Sequence, residues 1–280
     1  MTDFSLNIKN YRFNWGQRTY IMGILNVTPD SFSDGGDYQQ INQAVKQALY
    51  MIENGADIID IGGQSTRPGA LQISLEEELQ RVIPVIEAIR AKSDHPISID
   101  TTRVAVAREA MAKGADFIND ISGGTFEPKM FDFVAESGKP IILMHLRGNP
   151  QTMQSLTDYN DLMGEIKEFF TIQINYAFSK GVSSRQIILD PGIGFAKNYQ
   201  QNITILQNID QLKTLGFPLL IGTSRKSFIG EILQEKDPKK RVWGTGATCY
   251  HAIVKGADIL RVHDVAEMSQ VAKVADILNR

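Results

Sequence analysis

Gly55-Ala56-Asp57-Ile58-Ile59-Asp60 decides the fold, because the chain writes it three times. It returns as Gly114-Ala115-Asp116-Phe117-Ile118-Asn119 and as Gly256-Ala257-Asp258-Ile259-Leu260-Arg261. Each copy follows a run with helical periodicity, so its glycine reads as a helix C-cap. Each then enters a short apolar segment that stops at a polar residue, the pattern of a buried parallel strand. Working outward, five more such segments appear, at Tyr20–Leu25, Ile97–Ile99, Ile141–Met144, Ile187–Leu189 and Leu219–Ile221. Helical patterns separate them, near Ile41–Glu53, from Ser74 to Ala91 behind a Ser74/Glu77 capping box, and over Val104–Lys113. Further ones lie within Lys129–Ser137, over Tyr159–Lys180, near Ile203–Leu215 and from about Lys226. Alternation over Phe4–Gln17 predicts a short N-terminal β-hairpin covering one end. Eight strands alternating with helices predict a (β/α)8 TIM barrel, one domain over residues 1–280. An open doubly wound sheet would want a glycine-rich phosphate fingerprint after an early strand, and the chain has none.

The bulk numbers exclude several function classes. The 280 residues are 42% hydrophobic and carry a formal net charge of -3, with both signs mixed throughout. No basic block points to nucleic acid, and no apolar stretch reaches the length of a membrane span. The single cysteine, Cys249, reads as a small core residue and suits a reducing compartment; with a polar N-terminus this predicts a cytoplasmic protein. The four histidines lack the spacing of a zinc site.

Polar residues end every predicted strand: Asn26, Asp60, Asp100, Asn119, His145, Asp190, Ser224 with Lys226, and Arg261 with His263. In a barrel those ends meet at one mouth, where active sites form. Asp100, Asn119 and Asp190 would accept from the N–H pairs of a ring with amidine-like edges. Asn26, Arg67, Arg261 and His263 come from strands that neighbour one another on a closed barrel, and suit a phosphate or pyrophosphate. Arg261 and His263 could instead pair with buried carboxylates. Lys226 opens a predicted helix within Ser224-Arg225-Lys226-Ser227, where anions are favoured, although a basic dipeptide is by default a solvated surface pair. A pyrophosphate beside an amide and aspartates suits Mg²⁺, which keeps most of its waters. The long loop Met22–Gly36, MGILNVTPDSFSDGG, carries Phe32 without a periodic partner; it reads as a lid or as a surface loop with a solvated tip.

These segments together resemble the dihydropteroate synthase family. The resemblance rests on Met22–Gly36, Gly62-Gly63-Gln64-Ser65-Thr66-Arg67-Pro68-Gly69, Ile99-Asp100-Thr101, Asn119-Asp120-Ile121, Leu143-Met144-His145, Asp190-Pro191-Gly192, Ser224-Arg225-Lys226-Ser227 and Arg261-Val262-His263-Asp264-Val265. The matches are collinear and cover nearly the whole chain. The resemblance implies a (β/α)8 barrel of folate biosynthesis that joins 6-hydroxymethyl-7,8-dihydropterin pyrophosphate to para-aminobenzoate. It implies that Asp100, Asn119, Asp190 and Lys226 hold the pterin, with Met144 and Gly222 shaping its pocket. Asn26 would ligate Mg²⁺ while Arg67, Arg261 and His263 clamp the pyrophosphate. Thr66, Pro68, Phe195 and Ser227 would frame the aminobenzoate beneath Phe32, and Asp34 would orient the first loop or the amine. It implies a homodimer, and inhibition by sulfonamides.

Two other readings share the pterin residues. One is a barrel that passes a methyl group from methyltetrahydrofolate to a corrinoid protein, which has no need of a pyrophosphate clamp. The other is a paralogue that binds pterin without turnover. The chain departs from the family's frequent residues in three places: Gln64 for Glu, Thr102-Arg103-Val104 for Ser-Lys-Pro, and Ala196 for Gly.

Overall fold

The computed structural model describes residues 5–28 and 37–280. A hairpin of β1 (Ser5–Ile8) and β2 (Tyr11–Asn14) leads the chain, reversing at Lys9–Asn10, where Lys9 has φ +52. Eight parallel strands follow, each leading into a helical segment. They are β3 (Tyr20–Asn26), β4 (Ile58–Gly62), β5 (Ile97–Asp100), β6 (Phe117–Asp120), β7 (Ile141–Met144), β8 (Ile187–Asp190), β9 (Leu220–Ile221) and β10 (Ile259–Val262). Their order in the sheet is β8-β7-β6-β5-β4-β3-β10-β9. A parallel bridge between Leu189 and Leu219, with Leu189 N–H donating to the Pro218 carbonyl at 2.9 Å, joins the two ends into a barrel.

The repeated joint explains itself in three dimensions. Gly55, Gly114 and Gly256 have φ of +100, +104 and +98, and the next N–H reaches back to the helix, Ala56 to Met51 O, Ala115 to Ala110 O and Ala257 to Ala252 O. A Cβ is strained in that conformation, which is why glycine stands there. The aspartate, two residues after the glycine, accepts from an N–H at the start of the neighbouring strand: Asp57 from Ile21 (2.8 Å), Asp116 from Ile97 (3.1 Å) and Asp258 from Leu219 (2.9 Å). Each aspartate also meets a cation, Arg18, Arg90 and Lys213 respectively. One hexapeptide thus ends a helix, starts a strand and stitches it to its neighbour.

The helices cover the outside. They are α1 (Asp37–Glu53), α2 (Leu75–Arg90), α3 (Val104–Ala112), α4 (Lys129–Ser137), α5 (Leu162–Ser179), α6 (Tyr199–Gln207), α7 (Ile209–Lys213), α8 (Ser227–Leu233), α9 (Val242–Val254) and α10 (Val265–Asn279). Capping chemistry sets several limits that periodicity misplaces. Asp161 accepts from Gly164 N–H and so starts α5 later than Tyr159. A reciprocal Asn198/Gln201 capping box starts α6 early, and the continuous helix expected near Ile203–Leu215 breaks at Asn208.

Alternation along the strands builds two layers. Outward residues such as Ile59, Ile61, Ile97, Ile99, Ile118 and Leu143 pack under the helices in one large core. Inward residues at the N-terminal end, Tyr20, Met22, Ile58, Phe117, Ile142, Ile188, Leu220 and Ile259, form a second apolar cluster. The hairpin seals this end. Phe13, 1% exposed, meets Phe117 edge-on at 5.6 Å, and Trp15 stacks on Phe13. Tyr11 Oη bonds His95 Nδ1 at 2.8 Å, tying the plug to the start of β5.

Candidate active site

Strand side chains repeat every two residues, so the residue two beyond each apolar floor position points into the same interior. Ile58 leads to Asp60, Phe117 to Asn119, Ile142 to Met144, Ile188 to Asp190, Leu220 to Gly222 and Ile259 to Arg261, and the buried hydroxyl residue Ser98 leads likewise to Asp100. A polar layer therefore sits above the apolar floor, at the C-terminal mouth.

Arg261 is the centre of that layer. Its Nε donates to Asp60 Oδ2 at 2.7 Å and its Nη2 to Asp100 Oδ2 at 2.7 Å. Asn119 Nδ2 also donates to Asp60 Oδ2, at 3.0 Å, while Asp60 Oδ1 is buried without a partner. Burial works against the Arg261 charge, but Asp60 and Asp100 outweigh it and hold the guanidinium well above its ordinary value. Burial pushes the Asp100 carboxyl upward; Arg261 opposes this, and Asp60 and Glu78 add to it. Nη1 of Arg261 carries no hydrogen bond among the described residues, so one edge of the fork is left for a ligand.

With Asp60 of β4 buried against Arg261, the remaining groups divide the mouth by charge. Asp100, Asn119, Met144 and Asp190 come from the adjacent strands β5 to β8, and Asn26, Arg67, Arg261 and Lys226 from the adjacent run β4-β3-β10-β9 and the loops that follow. Lys226 Nζ lies 4.3 Å from the centre of the Phe195 ring, a cation–π contact. Burial first, then Arg261, lowers this amine to about 8, against the pull of Asp190 and Asp100. Asp190 Oδ1 accepts from Gly192 N–H at 2.8 Å. Ser224 Oγ accepts from His263 N–H at 3.1 Å and meets His263 Nδ1 at 3.0 Å, leaving Nε2 free among the described residues. Burial, with Arg225 and Arg261 beside it, drops the imidazole to about 3, so His263 is neutral at physiological pH.

Sequence comparison now has a geometry to explain. The profile of the pterin binding enzyme family matches residues 22–263. The chain belongs to the pterin-binding enzyme family. A dihydropteroate synthase from Synechocystis sp. is 63% identical over 268 residues, 96% of this chain and 93% of that protein. Among solved structures, a dihydropteroate synthase from Clostridium difficile in the presence of pteroic acid superposes with TM-score 0.91 at 47% identity, covering 96% of this chain and 99% of that one. A dihydropteroate synthase from Yersinia pestis in complex with a sulfonamide drug gives TM-score 0.91 at 42% identity, covering 98% of both.

The loops of this pterin-binding barrel are tied down in different ways. After β4, the Gly63 carbonyl accepts from Arg81 at 2.7 Å, and Gln64 Oε1 accepts from Ile73 N–H at 3.3 Å. Gln64 thus makes a bond that the family's frequent glutamate could also accept. Gly69 N–H donates to Pro150 O at 2.9 Å, joining this loop to the one after β7. Between the two lies a cavity of about 590 Å³, whose lining runs from Thr66 and Gln64 down to Asp100 and Ile121. Arg67 and Pro68 are exposed at the rim, as is Ser227 at the start of α8. Phe32 and Asp34 lie outside the described residues.

Below Phe195 is a group that sequence reading misses. Lys197, 3% exposed, donates to Phe195 O at 2.8 Å and lies 2.9 Å from His145 Nδ1. Burial lowers its amine to about 7; burial first, then Lys197 beside it, drops His145 to about 2. A lysine in a glycine-rich loop gives no sequence signal of burial. Ala196 has φ +49, which explains why glycine is frequent there. Gly192, at φ +69, packs closer still: an added Cβ would lie 2.2 Å from the His145 carbonyl oxygen. Gly192→Ala is therefore expected to lower the unfolding free energy by about 2–5 kcal/mol, from left-handed strain and overpacking together. Urea denaturation checks this, and a loss under 1 kcal/mol would refute the close approach.

Among the described residues, no group of three or more His, Cys, Asp or Glu is placed to hold a metal ion. The donors fit a hard cation that arrives on a phosphate instead. Such an ion keeps its waters, and Asn26 offers a carboxamide oxygen with no partner among the described residues.

Proposed function

We propose that this protein is a dihydropteroate synthase of folate biosynthesis, joining 6-hydroxymethyl-7,8-dihydropterin pyrophosphate to para-aminobenzoate with release of pyrophosphate. The observation that carries the reading is the division of the mouth into an acceptor half and a cationic half. The pterin's N–H groups face Asp100, Asn119 and Asp190, over Met144 and Gly222. Its pyrophosphate faces Arg67, the free Nη1 of Arg261, and His263 Nε2. A methyltetrahydrofolate methyltransferase would have no use for that cationic half.

Bond breaking precedes attack, because the electron-rich dihydropterin ring stabilises a cation at its exocyclic carbon. Arg67 and Arg261 take up charge on the departing pyrophosphate and His263 Nε2 donates to it, while Lys226 holds the pterin, in a site already oriented for it. Mg²⁺ bound to the pyrophosphate through Asn26 would add further charge stabilisation. Phe195, Thr66, Pro68 and Ser227 frame the aminobenzoate, whose amine attacks in its neutral form and needs no strong base. Closed loops would exclude water, which would otherwise capture the cation; in this reading the role of Phe32 is to cover the aminobenzoate, and that of Asp34 to orient its loop or the attacking amine.

The protein works as a homodimer in the cytoplasm. Trp243, Tyr250, Val274 and Ile277 form an exposed apolar face on α9 and α10, the kind of patch that a partner copy covers. The single thiol of Cys249 is buried, as suits a reducing compartment.

The test is turnover. Purified protein with Mg²⁺, the dihydropterin pyrophosphate and labelled para-aminobenzoate should yield labelled dihydropteroate, lost on chelation and inhibited by sulfonamides. Pterin binding without product would overturn the reading in favour of a binding paralogue. Arg67→Ala should cut turnover about 100-fold or more while sparing pterin affinity. Near-normal turnover would remove Arg67 from the clamp.

A further inference from the structure

Two residues that read as surface charges are laced into the mouth. Arg225 Nε donates to Asp264 Oδ2 at 3.0 Å, and Nη2 of the same guanidinium meets Oδ1, a bidentate pair. Arg225 immediately precedes Lys226, and Asp264 immediately follows His263. Ser224 forms the second lacing, through its hydroxyl to the His263 N–H and ring. The loops after β9 and β10 are therefore joined residue against residue, beside Lys226 and His263.

The backbone of Arg225 is committed to the same end. Its φ is +59, a left-handed turn that a non-glycine residue keeps only when its surroundings enforce it. Three contacts do so. Its N–H donates to Thr245 Oγ1 at 3.1 Å, its carbonyl accepts from Arg241 Nη1 at 3.0 Å, and its side chain is held by Asp264. Arg241 Nε and Nη2 are in turn held by the carbonyls of Glu235 and Lys236. Such a turn sets the direction in which Lys226 leaves the loop. Lys226 makes no side-chain hydrogen bond within the described residues, so its position over Phe195 depends on this backbone.

We propose that the Arg225–Asp264 pair is a clasp that fixes Lys226 and His263 relative to each other, and that Arg225 is a positioning residue for the junction between the pterin and pyrophosphate halves of the site. The clasp does not touch the substrate. It acts by removing the freedom of two groups that must meet the two ends of one substrate, Lys226 the pterin and His263 the pyrophosphate, so that their ordering is completed in folding rather than in binding. This rests on the synthase reading for the identity of the anion. Arginine is needed because its planar fork spans both carboxylate oxygens; a lysine reaches one.

The experiment compares Arg225→Lys, Arg225→Ala, Asp264→Asn and Arg225→Ala/Asp264→Asn with the unaltered protein. Turnover, calorimetric binding of inorganic pyrophosphate with Mg²⁺, and thermal unfolding are read for each. The clasp predicts that Arg225→Ala and Asp264→Asn each weaken pyrophosphate about 5- to 10-fold and lower kcat by a similar factor. Pterin affinity should also fall, because Lys226 moves with the same backbone. Arg225→Lys should recover part of the loss, and the double variant should be no worse than the poorer single one, because both remove the same interaction. Unaltered pyrophosphate binding in Arg225→Ala and Asp264→Asn, multiplicative losses in the double variant, or losses that follow the unfolded fraction would each overturn it. If the unaltered protein binds pyrophosphate but makes no dihydropteroate, the synthase reading fails, and the pyrophosphate affinities still decide the clasp.

Discussion

Arg261→Ala is expected to lower the unfolding free energy by about 3–5 kcal/mol, because it leaves buried carboxylates without their counter-charge. Asp60 is fully buried and Asp100 is 8% exposed, and both lean on the one guanidinium at 2.7 Å. Asn119 offers Asp60 a neutral donor but no charge. Turnover is expected to fall about 10²- to 10³-fold, since the free Nη1 is lost as a donor to the departing pyrophosphate. Arg261→Lys separates the two effects. An ammonium keeps the charge but has no fork to hold Asp60 and Asp100 while a third donor faces the mouth, so stability should return further than activity. Urea denaturation with steady-state kinetics reads both. Arg261→Ala with near-native stability would show that the carboxylates do not depend on the pair.

Asp190→Asn is expected to weaken pterin binding about 10- to 150-fold, or about 1.5–3 kcal/mol for a hydrogen bond to a charged group. The reason is the neighbour. Gly192 N–H already takes one oxygen of Asp190, so an asparagine must turn its carbonyl toward Gly192 and its amide toward the ligand. Donor then faces donor. Protonation of the carboxyl does the same. Burial raises this carboxyl above the ordinary range, against the bond from Gly192 and the pull of Lys226. Pterin affinity should therefore fall as pH drops through that raised value, and should recover as pH rises above it. The asparagine variant should lack this dependence. Calorimetry across pH checks it, and equal affinities for the two proteins would remove Asp190 from the ring's edge.

The barrel was legible because its rhythm is local. A cap glycine, an alanine, an aspartate, two large apolar residues and a polar stop lie within one hexapeptide, and three copies of it announce the repeat. The partner of that hexapeptide's aspartate was not legible: Asp57 meets Ile21 across 36 positions and Asp258 meets Leu219 across 39. The site behaves in the same way. Strand-end position identified Asp100, Asn119, Asp190 and Arg261 as inward-facing. That Arg261 crosses the barrel to Asp60, 201 positions away, left open at the sequence level, follows only from the closed sheet. Lys197 and the Arg225–Asp264 pair were invisible for another reason. A lysine or arginine in a polar loop is usually solvated, and nothing in the residues beside it marks the exception.

The hairpin plug imposes a queue. Phe13 and the apolar floor shut one end of the barrel, so the interior is a blind shaft entered from a single side. A molecule seated against Asp190 and Asn119 must descend before the rim beside Thr66 and Arg67 is occupied, and it cannot leave while the rim is filled. For two reactants stacked at different depths this means last in, first out. In such a shaft the deep reactant would enter first, and anything lingering at the rim would hold the shaft closed behind it. The packed floor, with the small ribbon laid over it, leaves all traffic to the mouth.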